Sequence, residues 1–111
     1  MYNMSDREQL YFDALNEIAG YLGDSIDHPI SVSLLCLRLD ITNEEKGKIF
    51  FEFNQVLRSN SFYELDIEKF KMALKNVDNR FVSFSDQVIA GLIKAFSIRH
   101  IPELYPFAQT L

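Results

Sequence analysis

From residue 34 to residue 57 the chain reads LLCLRLDITNEEKGKIFFEFNQVL: an apolar stretch, a break at residues 40–42, then apolar residues returning at helical intervals. Ile49, Phe50, Phe53, Val56 and Leu57 make one heavy stripe, the signature of a helix that needs cover on one side. Thr42 followed by Glu45 is a capping box, in which each side chain bonds the other residue's backbone N–H. The spacing predicts a helix from about residue 43 to residue 57 or 59. Gly47 inside it costs about 1 kcal/mol relative to Ala, which a close approach of another backbone would account for.

The other segments read as its cover. Ser5 with Glu8 is a second capping box, opening a helix to about residue 22 after a frayed tail at residues 1–4. Its predicted inward set is Tyr11, Ala14, Leu15, Ile18 and Leu22; Asp6, Asp13, Glu17 and Gly20 fall on the other side, and Gly23 suits a left-handed C-terminal position. GDSIDHP is a loop, with Pro29 fitted to a helical first turn capped by Asp27 or His28. Residues 30–41 nearly alternate apolar and polar, as a strand would, yet Leu34, Leu35 and Leu39 with Ile30 or Ile41 also make a helical face. A short buried helix is the expectation, because a lone strand would have no partner elsewhere. Asp66 caps a fourth helix with Ile67, Phe70, Leu74 and Val77 inward, and Leu65 with Phe70 forms a hydrophobic staple. Phe81, Val82 and Phe84 are expected to tuck against the core. Ser83 or Ser85 caps a fifth helix carrying Val88, Ile89, Leu92, Ile93 and Phe96. Pro102 can start a last short helix through Leu104, Tyr105, Phe107 and Ala108, which Pro106 would kink or restart. The whole predicts an all-α fold, a compact bundle of five or six helices forming one domain over residues 1–111.

Composition adds one feature. The chain holds ten Phe and five Tyr without Trp, more aromatic bulk than a core of 111 residues readily hides. Phe51, Phe62, Tyr63, Tyr105 and Phe107 are the candidates for exposed anchors, the alternative being that all five are core. Formal net charge is −5, unevenly spread: residues 1–45 hold nine acids against two bases, residues 46–111 seven against nine. That balance argues against general affinity for nucleic acid or anionic membrane. Asp13 and Glu17 lie in the acidic part and could dock on a basic partner. The single cysteine, Cys36, allows no internal disulfide. With no secretory signal in MYNMSDREQ and no span long enough for a bilayer, the cytoplasm is the expected compartment.

No catalytic constellation emerges. His28 and His100 are far apart and lack Cys or His neighbours, so no metal is expected. The run from Asp78 lacks the mid-loop Gly of a calcium site and has Arg80 at its third position. Cys36 sits among leucines, the setting of a core thiol, and the serines sit where caps belong. No cofactor and no enzymatic activity are expected. Residues 35–42, LCLRLDIT, resemble the turn of a helix-turn-helix, with Asp40 in place of the usual turn Gly; Glu44 and Glu45 in the next helix would then face phosphates.

A leading helix before His28-Pro29 and Leu34-Leu35, the capped Ile41-Thr42-x-x-Glu45, Leu65-Asp66-x-x-x-Phe70, Val88-Ile89-x-x-Leu92, and Pro102-Glu103-Leu104 with Phe107 follow in order. Over about residues 5–108 this pattern resembles a family of small uncharacterised all-helical proteins of Gram-positive bacteria, from which the N-terminal tail and Pro106 depart. The resemblance implies a helical fold and a capacity for self-association, and no activity. The functional expectation is a non-catalytic protein–protein interaction or regulatory module, with a protein partner or a second copy (a homodimer) as its ligand. The alternatives are a helix-turn-helix-like transcription regulator and a small phage-type inhibitor docking on a basic partner.

Overall fold

Local capping decides where most helices begin. The computed structural model describes residues 4–111, so most of the expected frayed tail lies outside the described residues. Ser5 Oγ accepts the Glu8 N–H at 3.2 Å while Glu8 Oε1 accepts the Ser5 N–H at 3.1 Å, and α1 runs Asp6–Tyr21 behind that box. Gly23, just beyond it, adopts φ 82°, the left-handed conformation a side chain would resist. Thr42 and Glu45 close the second box ahead of α3, Asn43–Ser59. Asp66 caps α4, Ile67–Val77, and Ser85 caps α5, Asp86–Ile98.

α2, Val32–Arg38, is the buried helix expected between residues 30 and 41, and no strand occurs among the described residues. Its start differs from the sequence reading. Ser31 is the cap, and Pro29 stays in the preceding loop. The cause is local: Asp24 Oδ1 accepts the Ile30 N–H at 2.9 Å and Ser25 Oγ accepts the His28 N–H at 3.1 Å. The loop's own polar side chains thus supply turns that compete with a helix there. The C-terminus forms a 3₁₀ turn, Pro102–Leu104, continued by α6, Tyr105–Ala108, with Pro106 absorbed in its first turn.

α3 and α4 pack as a hairpin, α5 lies against α4 and α2, and the C-terminal turn with α6 closes over α5. Phe53, Phe70, Phe81 and Phe96 are fully buried at the centre with Ile49, Leu74 and Leu92. Phe53 meets Phe70 and Phe96 edge-on, at centroid distances of 5.1 and 5.5 Å, the arrangement that aligns ring edges with ring faces. Four sequence expectations need correction here. Phe50 and Val82 are exposed rather than inward. Phe107 is not a surface anchor: it is buried and stacks on Phe70 at 5.4 Å, because α6 turns that side onto α4. Nothing lies within 4 Å of a Cβ built on Gly47, so no neighbouring backbone explains it; the glycine under close approach is Gly91.

A polar clamp ties the α2–α3 turn to the 3₁₀ turn Asn79–Ser83. Arg80 donates to both carboxylate oxygens of Glu45, at 2.6 and 2.7 Å, to the Asp40 carbonyl at 3.0 Å and to Asp78 at 2.9 Å. Hydrogen bonds from Arg80 are the main cause holding the Glu45 carboxyl down at about 2, with the Thr42 backbone N–H adding to them. A carboxylate with a lowered folded-state value stabilises fully above the ordinary value near 4.5 and loses that contribution as pH falls towards 2. Arg80 is nearly half exposed, so screening trims the effect. Glu45→Gln is therefore expected to cost about 1–2 kcal/mol at neutral pH, with the gap between the variant's and the parent's urea midpoints closing between pH 4.5 and 2.

Candidate interaction surface

α1 makes only slight contact with the other helices. The side it turns to the body is narrow: Ala19 is buried, and Phe12 and Asn16 are half-buried. Polar bonds fix that orientation. Arg38 Nε donates to Asn16 Oδ1 at 2.7 Å, and Arg38 Nη1 donates to the Asp24 carboxylate, whose side chain is only 4% exposed. Asp24 is held in turn by the Ile30 N–H, and its own N–H donates to the Ala19 carbonyl at 3.0 Å. A charge-assisted anchor of this kind is directional where an apolar contact is not, so α1 is oriented by the end of α2.

The consequence overturns the predicted inward set. Tyr11, Leu15, Ile18 and Leu22 all face solvent, at 55, 48, 57 and 66% exposure, and Leu10, Ala14 and Tyr21 beside them are exposed as well. Amphipathic periodicity identified the apolar side of α1 correctly, but the body covers a different one. Between the base of α1 and the α2–α3 turn remains an open cleft of about 470 Å³, lined by Met4, Phe12, Leu37 and Ile41 with Asp40, Thr42 and Asn43 at its polar end. Apolar side chains clustered on a surface in this way mark a contact site more often than scattered single ones do.

The other candidate residues do not gather around it. Asp13 and Glu17 are exposed on the flank of α1 away from the stripe, Asp13 accepting from Gln9 Nε2 at 2.9 Å. Phe62 and Tyr63 share the 3₁₀ turn Phe62–Glu64, with rings 5.5 Å apart and both exposed. Phe51 is exposed on α3 and Tyr105 on α6, each at the edge of a separate shallow cleft. Leu10 and Tyr21 belong to the surface and were missed by sequence reasoning, although both are apolar residues on the solvent flank of a helix already recognised.

The single cysteine is buried. Burial pushes the Cys36 thiol up to about 11, with Lys46 opposing weakly, so it stays protonated at neutral pH and is a poor nucleophile. Among the described residues no group of His, Cys, Asp and Glu is placed to hold a metal ion, and no helix is long and apolar enough to cross a membrane. In the α2–α3 turn Asp40 adopts φ 59°, the left-handed conformation usually given to Gly. No protein-family model, curated protein or solved structure matches the chain.

Proposed function

We propose that the protein is an interaction module that acts by contact rather than catalysis, with the outward face of α1 as its working surface. One observation carries this reading: a capped, anchored helix presents Tyr11, Leu15, Ile18 and Leu22 to solvent while making little contact with its own body. Burying such side chains on a partner contributes about 25 cal/mol per Å² of apolar surface before association costs are met. A cytoplasmic setting suits the free, reduced Cys36. Transcription regulation through α3 is disfavoured by Glu44 and Glu45 in its first turn, where phosphates would lie.

The test is affinity capture from the native host with matched baits. Leu15→Glu combined with Ile18→Glu replaces exposed residues, so the helical signal by circular dichroism is expected to stay unchanged. Capture of any protein retained by the parent, a second copy included, is expected to fall at least about tenfold. Asp13→Lys with Glu17→Lys is expected to leave capture intact. Equal capture by the parent and the stripe variant would refute the reading, and loss confined to the charge-reversed bait would move the function to the acidic flank.

A further inference from the structure

We infer that the occupant of this surface is a second copy of the chain, paired antiparallel through α1. The inference rests on the interaction reading above and names its partner.

Spacing is the first support. Tyr11, Leu15, Ile18 and Leu22 are separated by four, three and four residues, the two-position repeat of a helix–helix seam. An antiparallel mate with the crossing between residues 16 and 17 sets Leu15 against Ile18 of the other copy and Tyr11 against Leu22. The same operation brings Ala14 on the flank close to Tyr21 of the other copy, a small residue opposite a large one. Each contact then occurs twice, as a two-fold interface between identical patches requires.

Charge decides the direction. α1 carries Asp6, Glu8, Asp13 and Glu17 against Arg7, so two copies repel wherever those acids approach. Asp6, Asp13 and Glu17 lie away from the stripe, and Ala14, Tyr21, Phe12 and Ala19 flank it without charge. Glu8 is the one carboxylate in line with the stripe, one heptad before Leu15, and Arg7 lies one turn before Tyr11, to whose hydroxyl it donates at 2.6 Å. A parallel mate would set Glu8 against Glu8; the antiparallel mate sets it beyond Leu22, near Ser25, and opposes the two helix dipoles favourably. A basic foreign partner would find one carboxylate in line with the stripe, Glu8, whose Oε1 already accepts the Ser5 N–H at 3.1 Å.

Extent is the third support. The exposed stripe with Leu10 and Tyr21 beside it, the two tyrosines each able to bury about 150–250 Å², supplies a good part of the roughly 800 Å² that each partner gives to a standard interface. The Arg38 anchor already orients the helix, so pairing requires little ordering.

Sedimentation equilibrium of the full chain, from low micromolar to near-millimolar concentration, tests the inference. A reversible dimer is expected, and Ile18→Glu, present twice in the interface, is expected to weaken it by at least about 100-fold. A parent that stays monomeric throughout, or a dimer whose affinity Ile18→Glu leaves unchanged, would overturn the pairing. Direction is read by oxidising a mixture of differently tagged Tyr11→Cys and Leu22→Cys chains. The antiparallel seam gives the mixed disulfide; chains that cross-link only with their own kind overturn it, since in a parallel pair those positions lie about 16 Å apart along the axis. A monomeric parent whose captured partners are still lost from the Leu15→Glu, Ile18→Glu bait would sink the pairing alone and leave the interaction reading standing.

Discussion

Phe53→Ala is expected to lower the stability of the domain by about 3–5 kcal/mol and its melting midpoint by roughly 20 °C. The ring is fully buried where α3, α4 and α5 meet, edge-on to Phe70 and Phe96. Its loss removes the transfer contribution of a large apolar side chain and leaves a void that three helices cannot close together. Two ring–ring contacts, each worth about 0.5–1.5 kcal/mol beyond the area they bury, go with it. Against a total of about 5–15 kcal/mol for a domain, the change brings the variant close to unfolding. Phe51→Ala, two positions along on the exposed side of α3, is the matched control and is expected to shift stability by no more than about 0.5 kcal/mol. Urea melts of both variants check this, with a shifted midpoint and unchanged slope for Phe53→Ala. A loss below about 1 kcal/mol would mean that the ring cluster is not the centre of the fold.

The helix starts were readable because capping is local. Ser5, Thr42, Asp66 and Ser85 each bond a backbone N–H three residues on, so the necessary chemistry sits within one turn of chain. The centre of the core was readable for a similar reason: Phe53, Phe70, Leu74, Leu92 and Phe96 recur at helical spacing and are all buried. The candidate site was half readable. Periodicity marks the apolar side of α1, but which side meets the body depends on Arg38 reaching Asn16 and Asp24, contacts over 22 and 14 residues of separation that no local pattern announces. The same holds at the C-terminus. Tyr105 and Phe107 differ little as sequence, and only the 3₁₀ turn ahead of α6 decides that Phe107 goes in and Tyr105 stays out.

Gly91 joins the fold to the surface. A Cβ there would stand 2.7 Å from Ile26 Cδ1 and 3.0 Å from the Ile26 carbonyl oxygen, because the loop between α1 and α2 crosses α5 at this point. Around the crossing, Lys94 Nζ donates to the Asp27 carbonyl at 3.1 Å and Gln87 Nε2 to the Asp27 carboxylate at 3.3 Å. The side chain of Ile26 could swing away from an added methyl, but its carbonyl moves only with the loop. Gly91→Val, with two further methyl groups, is therefore expected to cost about 1–3 kcal/mol by overpacking, despite the gain from removing a mid-helix glycine. Gly47→Ala, with open space around it, isolates that gain and is expected to stabilise by up to about 1 kcal/mol. The two glycines thus predict opposite signs in the same chemical melt. Hydrogen exchange gives the Gly91 variant a second readout. Loosening the strap at Asp27 frees Asp24 and Arg38 from their common arrangement, so protection is expected to fall in α1 and the α1–α2 loop more than in α3. A variant that loses protection evenly, or a Gly91→Val chain as stable as the parent, would show that the placement of α1 does not depend on this crossing.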